Sequence, residues 1–418
     1  MPIRDDVLVI GGGLAGSMAA LAAAESGAQV RLVSHKKSTL RQASGLVDVL
    51  GAVDGDAPIA DPFAAIERLP DGHPYRIVGV DAIREGLRRF DDVAGDRYLG
   101  AHTDRNALVL THGGTVKPTA RYPVSVAPGL ASAASDTLLV GFRGLTDFDA
   151  VAAADHLDAA GVPFDVDGAT VGFPIEFRDD ARTTRLATAL DENQEGVRDR
   201  LADAVAAELD GHGRVGFPAV LGDDRADEVR DRLEARLGAA VFQIPTGPPS
   251  LLGLQLEDRL IDALERAEVR LSTGNPAVGY ETHDGRLTAV TVDRRGQAVP
   301  YHADQVVLAT GGLVGKGIDS DRESVTEPVF GCHVPHPADR HEWSEAAAFG
   351  DHAFARFGVV PDDDLRPTGP DGDVRFPNLR AAGGVVGGAD VAAEKSAAGV
   401  SIATGTYAGR RAGEEAAA

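Results

Sequence analysis

Cysteine is almost absent from this sequence of 418 residues, because Cys332 is the only one. One thiol cannot form a disulfide within the chain, and it cannot supply the four ligands of a cysteine-bound zinc or iron–sulfur site. Any iron–sulfur cluster that works with this protein must therefore be held by another chain.

Long apolar runs are also missing, and the longest stretches, such as residues 308–314, are interrupted by glycine. A bilayer span needs about 18 or more consecutive apolar residues. The first residues lead directly into a strand-like run, without the basic and apolar regions of an export signal. We therefore predict a cytoplasmic protein without a membrane span.

Positive charge is scarce: 41 Lys plus Arg stand against 64 Asp plus Glu, which gives a formal net charge of -23. Lysine occurs only at Lys36, Lys37, Lys117, Lys316 and Lys395. This composition is typical of proteins from a salty cytoplasm, because at about 1 M salt the Debye length falls to about 3 Å and like-charge repulsion is screened. Nucleic acid is not expected as a partner, since it requires a clustered basic surface.

Residues 6–34 have the pattern of a strand, a turn, a helix and a second strand. The apolar run 7–10 suits a parallel strand that is buried on both faces. A glycine-rich turn of the form G-x-G-x-x-G follows, and it predicts a bound phosphate next to the start of the helix. The predicted cofactor-binding residues of this turn are Gly11, Gly12, Gly13, Leu14, Ala15 and Gly16.

The end of the second strand departs from the usual dinucleotide pattern. An acidic residue normally stands there and binds the adenosine ribose, whereas this sequence has Ser34 followed by His35, Lys36 and Lys37. A hydroxyl beside two ammonium groups favours a terminal phosphate, as in FMN or NADP. A solvated basic turn is the alternative interpretation.

A second small-residue turn follows a set of alternating strands. An amphipathic helix at 251–267 precedes strands at 269–272, 277–282 and 287–292, which predict an antiparallel β-meander. The next apolar strand, at 305–309, ends in a turn where only small residues fit beside a cofactor. Its predicted cofactor-binding residues are Ala309, Thr310 and Gly311.

A third glycine-rich segment lies at 378–388, and a helix begins after Ser396. This segment resembles the C-terminal flavin segment of the fumarate reductase and glycerol-3-phosphate dehydrogenase families. The resemblance implies that the helix start faces the flavin, where its positive end stabilises a reduced, anionic ring. The implied flavin-binding residues are Gly383, Gly384, Gly399 and Val400, with Gly384 standing where those families often have an acid.

On a finer scale, most of the chain resembles the B subunit of anaerobic glycerol-3-phosphate dehydrogenase. The most specific elements are a Ser-Gly-x-x-Asp-x-x-Gly pattern from Ser44 and a Pro-Thr-x-Pro-Pro-Ser pattern from Pro245. Further matching stretches are 8–20, 117–119 with Pro123, 216–222, 327–331 and 378–388.

This resemblance implies a complex of an FAD-bearing A subunit, this B subunit with FMN (alternatively FAD), and an iron–sulfur C subunit at the inner face of the membrane. It also implies oxidation of sn-glycerol 3-phosphate to dihydroxyacetone phosphate, with electrons passing to a quinone. The substrate binds this chain or its partner. Two alternatives remain: a scaffold that has kept the fold without a flavin, and a free-standing FAD-dependent reductase.

The predicted fold is α/β: a Rossmann-like, three-layer FAD/NAD(P)-binding domain with a β-meander, carrying an inserted α+β cap domain. The flavin domain is expected at 1–51, 250–317 and 366–418, and the insertion at 52–249 and 318–365. Within the insertion, helices are expected at 148–160 and 195–209, and strands at 137–142 and 173–177.

Other candidate residues have weaker support. Ser44 and Gly45 are expected near the reactive ring, with an ordinary glycine turn as the alternative. Arg143 and Arg366 have the chemistry to bind a phosphate in a bidentate manner, although surface arginines in an acidic protein more often balance charge. The histidines that flank Cys332 favour a structural loop over a metal site, so no metal is predicted. No catalytic base can be named.

Overall fold

The computed structural model describes residues 3–36, 38–55, 58–177 and 182–418. The strands are β1 (Ile3–Ile10), β2 (Val30–Ser34), β3 (Tyr98–Leu99), β4 (Ala107–Leu110), β5 (Val116–Thr119), β6 (Tyr122–Pro123), β7 (Thr137–Phe142), β8 (Val166–Val171), β9 (Arg214–Pro218), β10 (Ala240–Ile244), β11 (Arg270–Thr273), β12 (Ala277–His283), β13 (Arg286–Arg294), β14 (Gln297–Leu308), β15 (Asp319–Ser320), β16 (Val325–Thr326) and β17 (Leu379–Ala381). The helices are α1 (Leu14–Glu25), α2 (Pro62–Ala65), α3 (Pro74–Ala94), α4 (Ala150–Ala159), α5 (Thr183–Asp191), α6 (Val197–Ala206), α7 (Ala226–Leu237), α8 (Leu251–Arg266), α9 (Val391–Glu394) and α10 (Ala397–Ala416).

The chain forms two compact units. The first unit comprises residues 1–39, 48–94 and 258–418, and the second comprises 40–47 and 95–257. In the first unit, β11, β2, β1 and β14 form a parallel sheet in that order, and β17 adds to β14 in parallel. β14 is long enough for its first half to pair with β13 in the antiparallel meander, which β12 completes.

The two faces of this sheet are covered differently. Leu8 and Ile10 point into a core that also contains Phe330 and Phe376. On the other face α1 packs closely against α10. A side chain at Gly405 or Gly409 of α10 would lie within 2.4 Å of a carbonyl oxygen of α1, so only glycine permits this approach. The predicted Rossmann-like fold with a β-meander is confirmed. The strand expected at 269–272 is not part of the meander, however, because β11 pairs with β2 in parallel at the other edge of the sheet.

The second unit has its own parallel sheet, in the order β10-β9-β7-β8. Apolar residues of α5, α6 and α7 form the core on one face, and those of α4 contribute to the core on the other. Strands and helices alternate along most of this unit. Its secondary structure is therefore more regular than the many turns in its sequence indicated.

One predicted strand of the second unit is wrong. Residues 173–177 are irregular, and β8 lies just before them. Phe173 and Phe177 instead contact each other, with ring centroids 5.7 Å apart. Because Pro174 lacks an N–H group, a regular ladder is disfavoured at this point.

The boundaries of the two compact units differ from the predicted domain boundaries. Residues 52–94 lie in the first unit because α3 packs on α10, where Gly86 contacts Ile402. Residues 318–365 lie there too, and they supply Phe330 and Val359 to its core. Both segments pack against parts of the chain that are distant in sequence, so local patterns did not assign them to this unit.

Among the described residues, no helix combines the length and apolar character needed to cross a bilayer.

Candidate functional site

The first two glycine-rich turns meet at the carboxyl ends of β1 and β14. Gly11 has a φ of 119°, and a Cβ at this position would lie 2.0 Å from the carbonyl oxygen of Ala309. A Cβ at Gly16 would lie 1.8 Å from the carbonyl oxygen of Gly11. Both glycines are thus required by close backbone approach.

The third turn joins them from the C-terminal segment. A Cβ at Gly383 would lie 2.6 Å from the Cβ atom of Ala15, and one at Gly312 would lie 2.7 Å from the carbonyl oxygen of Gly384. The Thr404 hydroxyl accepts a hydrogen bond from the Gly383 N–H group at 2.8 Å. Three segments that are distant in sequence therefore converge at one place in the first unit.

The convergence leaves space at the start of α1. Gly13 is the N-cap residue, no side chain caps this helix, and its first turn carries no acidic residue. A Cβ at Gly13 would meet nothing within 4 Å. Since the first N–H groups of a helix have no intrahelical partner, this helix start has the geometry of a phosphate site.

Thr310 adds an unused polar group at the same edge. Its hydroxyl is buried and finds no hydrogen-bond partner among the described residues. Its neighbour Gly311 has a φ of 85° and turns the chain after β14. A buried hydroxyl without a partner is unfavourable unless a ligand uses it, so this position suits a polar cofactor.

The end of β2 is more crowded than its sequence indicated. Ser34 is buried, and its Cβ atom lies 3.0 Å from where a Cβ at Gly12 would be. Lys36 is exposed to solvent. Lys37, which also entered the prediction of a terminal phosphate, lies outside the described residues.

Gly399 and Val400 do not offer the N–H groups that the resemblance implied. The Gly399 N–H donates to the carbonyl oxygen of Asp48 at 2.7 Å, and the Val400 N–H donates to that of Ser396 at 2.9 Å. A Cβ at Gly399 would also lie 2.1 Å from the Tyr75 hydroxyl oxygen. This part of the prediction needs correction, because both groups are already used in packing the start of α10.

Asp48 has a structural role that the sequence did not reveal. Its carboxylate accepts a hydrogen bond from the Ala398 N–H at 2.9 Å and so caps α10. The Ser-Gly-x-x-Asp pattern contained the signal, but nothing in the pattern named the partner helix.

Ser44 and Gly45 belong to the second unit. Gly45 has a φ of 74°, and a Cβ there would lie 2.7 Å from the Cβ atom of Leu252. The Tyr98 hydroxyl donates to the Gly45 carbonyl at 2.7 Å. These contacts explain the glycine by local packing, and a role near the reactive ring stays a prediction.

A buried hydrogen-bond network surrounds Glu394 in the first unit. His73 Nε2 lies 3.1 Å from a carboxylate oxygen of Glu394, and the Ser396 hydroxyl donates to the same oxygen at 2.8 Å. The Asp390 N–H donates to the other oxygen at 2.9 Å. Burial raises the pKa of the Glu394 carboxyl, but these hydrogen bonds lower it more, so the net pKa lies below its ordinary value.

The tautomer of His73 follows from its second contact. The Tyr75 N–H donates to His73 Nδ1 at 3.0 Å, so the ring proton is on Nε2 and points to Glu394. His73 has no exposed surface. It therefore orients the Glu394 carboxylate and cannot itself contact a ligand.

The weaker candidate residues have ordinary structural contacts. Arg366 forms ion pairs with Asp362 at 2.7 Å and Asp364 at 3.6 Å, which raise the pKa of its guanidinium. Arg143 is exposed in the second unit. A phosphate-binding role for either arginine stays a prediction, and for Arg366 it would compete with two carboxylates.

The loop around Cys332 is held by a buried carboxylate. Glu327 accepts hydrogen bonds from the N–H groups of Val329, Phe330 and Cys332. Burial raises the pKa of the Cys332 thiol, which suppresses its reactivity. In the part of the chain that the structure describes, no three His, Cys, Asp or Glu side chains are grouped to hold a metal ion.

The fold and the convergent turns are typical of a flavoprotein, and the chain belongs to the FAD binding domain family, whose model matches residues 6–400. The chain belongs to the family of anaerobic glycerol-3-phosphate dehydrogenase B subunits, an oxidoreductase family. It is 58% identical to the probable B subunit of Halobacterium salinarum, with 99% of each chain covered. It is 30% identical to the B subunit of Vibrio cholerae, over 96% of this chain and 95% of that one.

Solved structures with similar folds include a quinol fumarate reductase of E. coli, with a TM-score of 0.46 and 12% identity over 100% of this chain and 71% of that one. The family model indicates a flavin cofactor, but it gives no support for FMN as the first choice.

Proposed function

We propose that this chain is the flavin-carrying B subunit of a respiratory anaerobic glycerol-3-phosphate dehydrogenase. The observation that carries the proposal is the open, uncapped start of α1 at Gly13, where three glycine-rich turns converge. Near-complete coverage of B subunits at 58% and 30% identity supports the same role.

The residues proposed to hold the flavin are those of the convergent turns. Gly11, Gly12 and Gly16 allow the turn to pack closely, and the open position at Gly13 leaves room for a phosphate. The N–H groups of Leu14 and Ala15 at the helix start then bind it. The neighbouring edge is lined by Ala309, Thr310, Gly311, Gly383 and Gly384. Ser34 is the last residue of β2 and lies beside Gly12. The bound flavin supplies the hydride or electron chemistry, and the protein positions it and sets its potential.

We infer that the flavin is FAD, which corrects the first choice made from the sequence. The family resemblance implied FMN, and the missing acids at Ser34 and Gly384 agreed with it. Family membership over residues 6–400 favours FAD, and a buried serine still offers a hydroxyl to an adenosine ribose. Heat release of the chromophore followed by chromatography distinguishes the two, and recovery of FMN would reverse this inference.

The proposed reaction oxidises sn-glycerol 3-phosphate to dihydroxyacetone phosphate and passes electrons to a quinone. The proposed partners are an FAD-bearing A subunit and an iron–sulfur C subunit. The lone, buried Cys332 supports the assignment of the iron–sulfur cluster to a partner subunit, because this chain cannot ligate a cluster of its own. The proposed location is the cytoplasmic face of the cell membrane, with attachment through the C subunit.

Purified protein in high salt should be yellow, and the co-purified subunits should reduce a dye when glycerol 3-phosphate is added. A colourless chain would favour the scaffold alternative. Bleaching by NADH alone, without partner subunits, would favour the free-standing reductase.

A further inference from the structure

A cavity of about 880 Å³ lies within the first unit, next to the end of the third glycine-rich segment. Its wall is formed by segments around residues 52–55, 68–70, 356–361 and 387–394, and its lining residues include Asp54, Arg68, Arg356, Asp390 and Glu394 together with Asp351. This volume is within the range of small-molecule sites. Gly387 and Gly388 in the wall come three and four residues after Gly384 of the third turn. A fully extended segment of this length spans about 10 Å, so the turn lies close to the cavity.

Two arginines, Arg68 and Arg356, supply the positive charge among the lining residues. Arg68 lies 3.7 Å from a carboxylate oxygen of Asp54, whose side chain is 75% exposed, and the Arg68 guanidinium also donates to the Val53 carbonyl oxygen at 3.4 Å. Arg356 lies 2.6 Å from Asp351, whose side chain is 78% exposed. Ion pairs with such exposed carboxylates are weak, so a phosphate group can compete for both guanidinium groups.

A carboxylate, that of Glu394, also lines the cavity. Its side chain is only 15% exposed, and its carboxylate is fixed by His73, Ser396 and the Asp390 N–H. Asp390 is a further lining carboxylate, and its side chain caps α9 by accepting from the Ala393 N–H. A fixed carboxylate is a good acceptor for a ligand hydroxyl.

This lining discriminates between ligand classes. With Asp54 and Asp351 counted, the lining carboxylates outnumber the two arginines, so a bare anion gains little from the cavity as a whole. A ligand with a phosphate at one end and hydroxyl groups at the other matches both kinds of group.

We propose that this cavity binds a small phosphorylated polyol, with its phosphate on Arg68 and Arg356 and a hydroxyl on Glu394. The proposal rests on the proposed function and deepens it, because it assigns substrate binding to this chain and not to a partner subunit. Arg68 and Arg356 are binding residues, and His73 is a positioning residue that acts through Glu394.

The test is calorimetric titration of the purified full-length chain, in high salt, with glycerol 3-phosphate, glycerol and inorganic phosphate as separate probes. Glycerol 3-phosphate should bind at least about tenfold more tightly than either of the other two. Arg68→Gln and Arg356→Gln should each weaken its binding by about 10- to 100-fold, since each removes a charged hydrogen bond. The matched control is Arg340→Gln, which changes an exposed arginine outside the cavity.

Arg→Lys at each position should give an intermediate loss, because the charge stays and the bidentate geometry is lost. Glu394→Gln should weaken binding of glycerol 3-phosphate more than that of inorganic phosphate, and circular dichroism checks that this variant is folded. Equal affinity in the wild type and both arginine variants would overturn the proposal. Loss of the flavin from those variants would overturn it too, because the cavity would then hold the flavin phosphate.

The outcomes separate this proposal from the proposed function. If the assembled complex reduces a dye with glycerol 3-phosphate but this chain alone does not bind the ligand, the site belongs to a partner and only the present proposal fails. If the chain binds the ligand but carries no flavin, the proposed function fails and the cavity assignment stands.

Discussion

Gly399 donates its N–H group to the carbonyl oxygen of Asp48 at 2.7 Å, although the two residues stand near opposite ends of the chain. The Asp48 carboxylate accepts from the next N–H group, that of Ala398, at 2.9 Å. One residue of the Ser-Gly-x-x-Asp element thus fixes the start of α10, the helix that packs on α1 and α3. The two hydrogen bonds hold Asp48 against the start of α10 within the first unit.

Asp48→Ala should lower the free energy of unfolding by about 1 to 2 kcal/mol, the usual cost of losing a helix cap. Denaturant unfolding in high salt measures the change. Asp71→Ala serves as the control, because the Asp71 side chain is 97% exposed and should contribute less than about 0.5 kcal/mol. Similar losses in the two variants would show that the cap has no special role.

Gly399→Ala should destabilise the protein by about 3 kcal/mol, because the new Cβ would lie 2.1 Å from the Tyr75 hydroxyl oxygen. Tyr75→Phe removes that oxygen, and it also removes the hydrogen bond to the Val49 carbonyl. A double-mutant cycle should therefore show a favourable coupling of about 1 kcal/mol or more. Strict additivity of the two changes would contradict the packing role assigned to Gly399.

Gly13→Ala should leave the fold nearly unchanged but lower the flavin content per chain. A Cβ at Gly13 meets no protein atom within 4 Å, so only a ligand can collide with it, and the intrinsic cost at an N-cap is below about 1 kcal/mol. The ratio of flavin to protein absorbance measures the effect.

Gly16→Ala and Gly113→Ala are the two controls for Gly13→Ala. The first should disrupt folding by about 3 kcal/mol or more, since its Cβ would lie 1.8 Å from the Gly11 carbonyl oxygen. Gly113 lies in the second unit with open space around it, and its replacement should change neither stability nor flavin content. Full flavin content in Gly13→Ala would place the phosphate elsewhere.

The Glu394 carboxylate should make stability depend on acid pH. A group whose pKa is lowered by folding contributes stability above its ordinary pKa, near 4.5, and loses it as the pH falls through the folded-state value. Glu394→Gln should thus be less stable than the wild type at about pH 7, and the difference should shrink below about pH 4.5. Unfolding free energies of both proteins across this range provide the check, and a pH-independent difference would refute the linkage.

Salt should stabilise the folded chain strongly, because its formal net charge is -23. Self-repulsion in the compact state is screened as the Debye length falls to about 3 Å near 1 M salt. Melting temperatures measured at increasing KCl should rise steadily. A melting temperature that is flat or falls with salt would rule out the salty-cytoplasm interpretation of the composition.

Local patterns in the sequence were sufficient for the βαβ unit and the meander. The run at 7–10 and the glycines that follow specify a buried strand and a tight turn through neighbours only a few positions away. The same holds for the small residues after β14. Those features, together with the resemblance of longer segments, predicted the flavin-type fold and the family.

Tertiary structure decided which of the predicted groups are available to a ligand. Gly13 remains open, whereas Gly399 is covered by Tyr75 and its N–H is taken by Asp48. The cavity that Arg68 and Arg356 both line could not be predicted from the sequence either, because neither arginine lies in a recognisable motif. Periodicity and turn signals record contacts within a few residues of the chain, while these contacts join positions hundreds of residues apart and leave no local pattern.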